Sequence, residues 1–254
     1  MIALFDSGVG GLSVFKELYQ LAPYEDYIYY ADNANCPYGE KSVEFIRERA
    51  GEIARILISE GADIIVVACN TATAAAIDYL REKFDIGFIG MEPAIKPAAL
   101  SSESKVVGVL ATAGTFRGKL YRQTSGKYAQ NVTIIEKVGE GLVELVENGK
   151  TDYENAGEAV MKCVAPMTAM GADRIVLGCT HYPFLEDVIR KCAPGVSIIN
   201  PAPAVARHTV EVLDSAGYRF KDGKTGDTGS LKLLSSGNNR ILERMAGALY
   251  HAHK

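Results

Sequence analysis

The chain has no tryptophan and only 4 histidines among 254 residues, two of them at the tail as His251 and His253. No H-x-x-x-H pair and no clustered Cys/His set occurs, so spacing offers no metal centre. The 5 cysteines (Cys36, Cys69, Cys163, Cys179 and Cys192) include no C-x-x-C pair. An odd, scattered set reads as free thiols in a reducing compartment, which makes the cytoplasm the expected location. Dense basic runs are also missing. Lys+Arg 27 against Asp+Glu 31 leaves a net charge of -4, without the electropositive footprint of a nucleic-acid binder. The longest apolar stretch, Ile64 to Cys69, is far short of the roughly 18 residues of a membrane span. Met1 to Asp6 carries no basic segment, and a signal peptide is not expected there. No G-x-G-x-x-G and no G-x-x-x-x-G-K-[ST] motif follows the first apolar run, which weakens a nucleotide reading.

What is present is the composition of a globular protein, 48% hydrophobic and 23% charged. The length suits one large domain or two of roughly 100–150 residues. Apolar runs at Ile2–Phe5, Tyr27–Tyr30, Ile64–Ala68, Phe88–Ile89, Val106–Leu110, Val132–Ile135, Arg174–Leu177 and Val196–Ile199 predict strands. Helical patterns lie between them at Val43–Ser59, Ala72–Phe84, Ala156–Met170 and Phe184–Cys192. Strands that are apolar throughout, alternating with helices, indicate an α/β fold of mainly parallel sheets covered on both faces.

One internal repeat organises the chain. Gly61-Ala62-Asp63-Ile64-Ile65-Val66-Val67-Ala68-Cys69-Asn70-Thr71 aligns without a gap on Gly171-Ala172-Asp173-Arg174-Ile175-Val176-Leu177-Gly178-Cys179-Thr180-His181. At the same offset, Ile89-Gly90-Met91-Glu92-Pro93-Ala94 echoes Ile199-Asn200-Pro201-Ala202-Pro203-Ala204. The proline turns serve as crossover points, giving a first domain at 1–93 plus 204–254 and a second at 94–203. Asp222 to Thr228 reads as a surface loop before a strand at Leu231–Leu234 and a helix from Asn239.

Ligands of parallel sheets bind beyond the carboxyl ends of the strands, where Cys69 and Cys179 both fall. A helix N-terminus there is expected to lower each thiol's pKa. Two equivalent thiols on two similar halves suit inversion at an acidic carbon, in which one base removes a proton from one face and an acid returns one to the other. Asp6-Ser7-Gly8-Val9-Gly10-Gly11, after the first strand, combines an acid with glycines that admit an anion. Ser7 suits a carboxylate, while Asp6 suits an ammonium or a thiol. The loop from Asp32 to Gly39 carries Tyr38, expected to be exposed, and Thr112 and Thr115 offer hydroxyls at the matching edge of the second half.

In Phe5-Asp6-Ser7-Gly8-Val9-Gly10-Gly11, Pro37-Tyr38-Gly39, Cys69-Asn70-Thr71, Glu92-Pro93, Ala111-Thr112-Ala113-Gly114-Thr115 and Gly178-Cys179-Thr180-His181-Tyr182-Pro183, the chain resembles the cofactor-independent glutamate racemases of the aspartate/glutamate racemase superfamily. The resemblance implies two pseudo-symmetric α/β domains with the active site in the cleft between them. It implies interconversion of L- and D-glutamate without pyridoxal phosphate or any other cofactor, supplying D-glutamate for peptidoglycan. Cys69 and Cys179 would be the acid/base thiols, with Asp6, His181 and Glu147 assisting them. Asp6, Ser7, Tyr38, Gly39, Asn70, Thr71, Thr112, Thr115, Thr180 and His181 would hold the substrate. The expected partner is this small molecule alone, with neither nucleic acid nor membrane, and assembly as a homodimer is left open. Two other readings stand beside it: an aspartate racemase of the same superfamily, and a non-catalytic binder of amino-acid-like anions.

Overall fold

A computed structural model describes residues 1–221 and 229–251. The chain opens with β1 (Ile2–Asp6), α1 (Leu12–Leu21), β2 (Tyr27–Ala31), α2 (Val43–Ser59), β3 (Ile64–Val67), α3 (Asn70–Lys83) and β4 (Gly87–Gly90). It continues through α4 (Ile95–Ser101), β5 (Val106–Ala111), α5 (Ala113–Arg117), α6 (Lys119–Tyr128), β6 (Thr133–Val138) and α7 (Leu142–Glu147). Next come α8 (Tyr153–Ala169), β7 (Arg174–Gly178), α9 (Glu186–Cys192), β8 (Ser197–Ile199), α10 (Ala202–Ser215), β9 (Leu231–Ser235) and α11 (Arg240–His251). The loop expected at Asp222 to Thr228 lies outside the described residues.

Every strand pairing among the described residues is parallel, as the uninterrupted apolar strands require. The first sheet has the order β4-β3-β1-β2-β9 and the second β6-β5-β7-β8. Read in the opposite sense, the second sheet repeats the first four strands of its counterpart, with β5 and β7 in the places of β1 and β3. β9 returns from the C-terminal segment to pair with β2 at the edge of the first sheet.

The repeat has a local physical basis. At the end of α2, the Ala62 N–H donates to the Leu57 carbonyl and the Gly61 N–H to that of Ile58; after α8, Ala172 donates to Met167 and Gly171 to Thr168. Both are Schellman stops, which need a residue in the left-handed region, and Gly61 and Gly171 have φ of 90° and 87°. Each stop feeds the chain directly into the strand that ends at a thiol.

Burial completes the arrangement. Ile46, Ala50, Ile53, Ala54 and Leu57 of α2 pack with Ala72, Ala76 and Leu80 of α3 over one face of the first sheet. Beyond the other face, a single cluster runs from Leu4 and Leu12 to Val146, Val160 and Leu177, so the two halves share apolar core. The carboxyl ends of β1, β3, β5 and β7 are held facing one small volume.

Candidate active site

Cys69 is the N-cap of α3, and its Sγ accepts from the Ala72 N–H at 3.4 Å. Cys179 follows β7, but a short 3-10 turn, Tyr182–Leu185, intervenes before α9. The expectation of a helix N-terminus at both thiols therefore holds for Cys69 alone. The physical reason lies in Thr180-His181-Tyr182-Pro183: the chain bends at once, with the Tyr182 N–H donating to the Cys179 carbonyl at 3.2 Å.

The polar neighbours of the two thiols also differ. At Cys69, Ser7 Oγ lies 3.9 Å from the thiol and 3.4 Å from Asp6 Oδ1, linking sulfur to carboxylate through a hydroxyl. Asp6 is fully buried and accepts from the Gly8 N–H at 2.7 Å and the Thr180 hydroxyl at 2.9 Å. Burial raises its pKa to about 6, although His181 and those two donors pull the other way. Burial, and then the Asp6 charge, push the Cys69 thiol well above its ordinary value. The expected lowering at this cysteine is thus reversed, because desolvation of the thiolate outweighs what the helix N-terminus and the Ala72 and Ser7 N–H groups return.

At Cys179, the Sγ lies 3.7 Å from His181 Nδ1, and the opposite ring nitrogen, Nε2, lies 2.6 Å from Glu147 Oε1. Glu147 also accepts from the Val9 N–H at 2.7 Å. Burial by itself favours the neutral forms of both residues. The His181 hydrogen bond and charge nevertheless hold Glu147 below its ordinary pKa, and contacts to Cys179, Cys36 and Glu147 lift His181 well above its own. Both shifts favour the charged forms of this hydrogen-bonded pair behind Cys179. Its packing explains the glycines of the first loop: a Cβ at Gly8 would overlap the Glu147 carboxylate, and one at Gly10 the His181 ring.

Ser7, Tyr38, Gly39, Cys69, Asn70, Thr71, Thr112, Cys179, Thr180 and His181 line one cavity with Pro37 and Val143. Asp6 and Glu147 lie just behind that lining. Thr115 joins it through hydroxyl contacts, Thr71 to Thr112 at 2.8 Å and Thr112 to Thr115 at 3.0 Å. Tyr38, expected to be exposed, is 1% exposed. Its hydroxyl donates to Asp32 at 2.5 Å, and Asp32 pairs with Arg49 at 2.7 Å, so the polar tip is satisfied inside the protein.

The cavity is small, with room for about one water. Within it, Asn70 Oδ1 is buried without a hydrogen-bond partner. A buried acceptor left unpaired costs about 1–3 kcal/mol, so it points to a donor supplied by a ligand. Sequence spacing did not show that Cys36 lies beside His181 and Glu147. These residues come from three distant segments, and only the tertiary fold joins them.

The sequence matches the Asp/Glu/Hydantoin racemase family over residues 9–209. A glutamate racemase of Herpetosiphon aurantiacus is 48% identical over 238 residues, covering 93% of this chain and 92% of that protein. The crystal structure of a glutamate racemase isoform from Bacillus anthracis superposes with a TM-score of 0.85 at 31% identity, covering 98% of this chain and 92% of the other. Escherichia coli glutamate racemase in complex with L-glutamate and the activator UDP-MurNAc-ala gives 0.84 at 34%, covering 98% and 94%. With two thiol-bearing parallel sheets, matching sequence through most of its length and relatives of the same kind, the chain belongs to the Asp/Glu/Hydantoin racemase family.

Proposed function

We propose that the protein interconverts L- and D-glutamate, with Cys69 and Cys179 acting on opposite faces of Cα. The observation that carries this reading is the convergence of both thiols on one buried cavity, each reached from the carboxyl end of an equivalent strand. In the forward step one cysteine, as thiolate, takes the Cα proton. The other, as thiol, gives its proton to the opposite face. Each sulfur ends in the form its partner began with, and the reverse reaction exchanges their roles. By the family resemblance, Cys179 serves L-glutamate and Cys69 serves D-glutamate.

The Cα proton is far less acidic than a thiol, so the negative charge that develops must meet oriented donors in a dry site. Asn70 Oδ1 is the natural acceptor for the substrate ammonium. Ser7 and Thr71 on one side, and Thr112, Thr115 and Thr180 with the Gly39 backbone on the other, suit the two carboxylates. Tyr38, fixed by Asp32, walls the site. Glutamate exceeds the available volume, so the halves must separate to admit it and close again to expel water. D-glutamate made in this way would serve peptidoglycan synthesis, the role the resemblance implies.

The test is circular dichroism of L-glutamate incubated with enzyme dialysed against a chelator and a carbonyl-trapping reagent. Decay of the signal to zero is expected, with L-aspartate unchanged. A stable glutamate signal, or preferred turnover of aspartate, overturns the reading.

A further inference from the structure

We propose that a divalent cation of the zinc class binds between Cys36, His181 and Glu147 and reversibly shuts off the enzyme. The inhibitory consequence rests on the racemase reading above; the binding itself does not.

One ligand atom from each of these residues, a thiol sulfur, an imidazole nitrogen and a carboxylate oxygen, lies within 4.8 Å of the other two. Soft sulfur, nitrogen and one carboxylate oxygen select Zn²⁺ or Co²⁺ over Mg²⁺ or Ca²⁺, which prefer oxygen alone. Metal–ligand distances near 2.0–2.3 Å require tetrahedral donors to lie roughly 3.3–3.8 Å apart. Reaching that range takes side-chain shifts of about an ångström, in which the widest pair closes and His181 Nε2 and Glu147 Oε1, now 2.6 Å apart, separate. Three protein donors leave the fourth position to water.

The surroundings favour this use. His181 has its Nδ1 against Cys179 at 3.7 Å, leaving Nε2 facing Glu147. A metal on the Glu147 side would thus find an imidazole already oriented by a contact at its other nitrogen. The Glu147 carboxylate is anchored by the Val9 N–H. Cys36 is half-buried, with its Sγ 3.9 Å from Ser7 Oγ, so a cation reaches it without unfolding the site. Coordination releases to solvent both the Cys36 Sγ proton and the proton shared between His181 Nε2 and Glu147, so binding should strengthen as pH rises. Once coordinated, His181 and Glu147 can no longer exchange a proton with Cys179.

Metal-free enzyme titrated with Co²⁺ should develop a thiolate-to-cobalt charge-transfer band at one ion per chain. Cys36→Ala should lose the band, keep racemising L-glutamate, and need about tenfold or more Zn²⁺ for half-inhibition. In the unmodified enzyme, Zn²⁺ should slow alkylation of Cys36 as read by peptide mass spectrometry. Absence of the band, its persistence unchanged in Cys36→Ala, or Cys36 alkylation indifferent to Zn²⁺ overturns the proposal. Racemisation by the metal-free protein is recorded in the same samples. Its absence refutes the racemase reading while leaving the cobalt spectrum to decide the site.

Discussion

The two halves share a scaffold and differ in their chemistry. Gly61 and Gly171 close their helices by the same pair of hydrogen bonds and launch equivalent strands. Beyond the strand ends the equivalence stops. Cys69 caps a helix and has a buried carboxylate near it, reached through Ser7. Cys179 stands in a tight turn and faces a histidine backed by a carboxylate. The lesson is that a duplicated framework can bring two like side chains to one cavity while setting each in different polar surroundings.

The strongest way to probe the comparison is to remove each thiol. Cys69→Ala and Cys179→Ala should each lower turnover of both enantiomers by about a thousandfold or more, with cooperative melting preserved; Cys→Ser should be nearly as damaging because a hydroxyl is a poor base. Near wild-type turnover in either variant would show that one thiol suffices.

The polar neighbours of the thiols come next. Asp6→Asn and His181→Asn should each lower kcat/KM by about a hundredfold. The loss must be the same in both directions, since the enantiomers have equal free energy in water. The variants should part in their pH profiles. With Asp6 titrating at about 6, the wild-type rate should fall as pH drops through that value. His181→Asn should retain this limb, and Asp6→Asn should lack it. An unchanged limb in Asp6→Asn would assign it elsewhere.

Stability offers a smaller effect of opposite sign. The folded pKa of Asp6 is raised from 3.8 to about 6, so the folded state binds more protons than the unfolded one between those values. Stability is therefore lost as pH rises through this window. Ionised Asp6 costs the fold up to about 3 kcal/mol at neutral pH. Asp6→Asn should raise stability by about 1–3 kcal/mol at pH 7, and the gain should vanish below roughly pH 4. Denaturant melts at the two pH values check this, and a destabilised variant at pH 7 would contradict it.

The scaffold itself should behave symmetrically. Gly61→Ala and Gly171→Ala each place a Cβ in open space at positive φ, so strain is the only penalty. Each should cost about 1 kcal/mol. A large difference between them in chemical denaturation would mean that the helix stops are not equivalent.

Much of this was legible in the sequence because it is written locally. The Gly-Ala-Asp stop, the apolar strand and the thiol are contiguous, so the repeat announced both parallel sheets and both cysteines. Some boundaries moved. The strand expected at Val132–Ile135 runs Thr133–Val138, and the helix expected at Phe184–Cys192 begins as a 3-10 turn because Pro183 and the bend at His181 delay it. The pKa of Cys69 and the burial of Tyr38 depend on what the fold places around them, Asp6 in one case and Asp32 with Arg49 in the other. The meeting of Cys36, His181 and Glu147 has no local trace at all.

Proton origin tests the central claim most directly. In heavy water, starting from L-glutamate, the first D-glutamate formed should carry deuterium at Cα while the remaining L-glutamate keeps its original hydrogen, and the mirror experiment from D-glutamate should give the mirror result. Equal early labelling of substrate and product would mean that one base serves both faces, and the division of labour between Cys69 and Cys179 would be wrong.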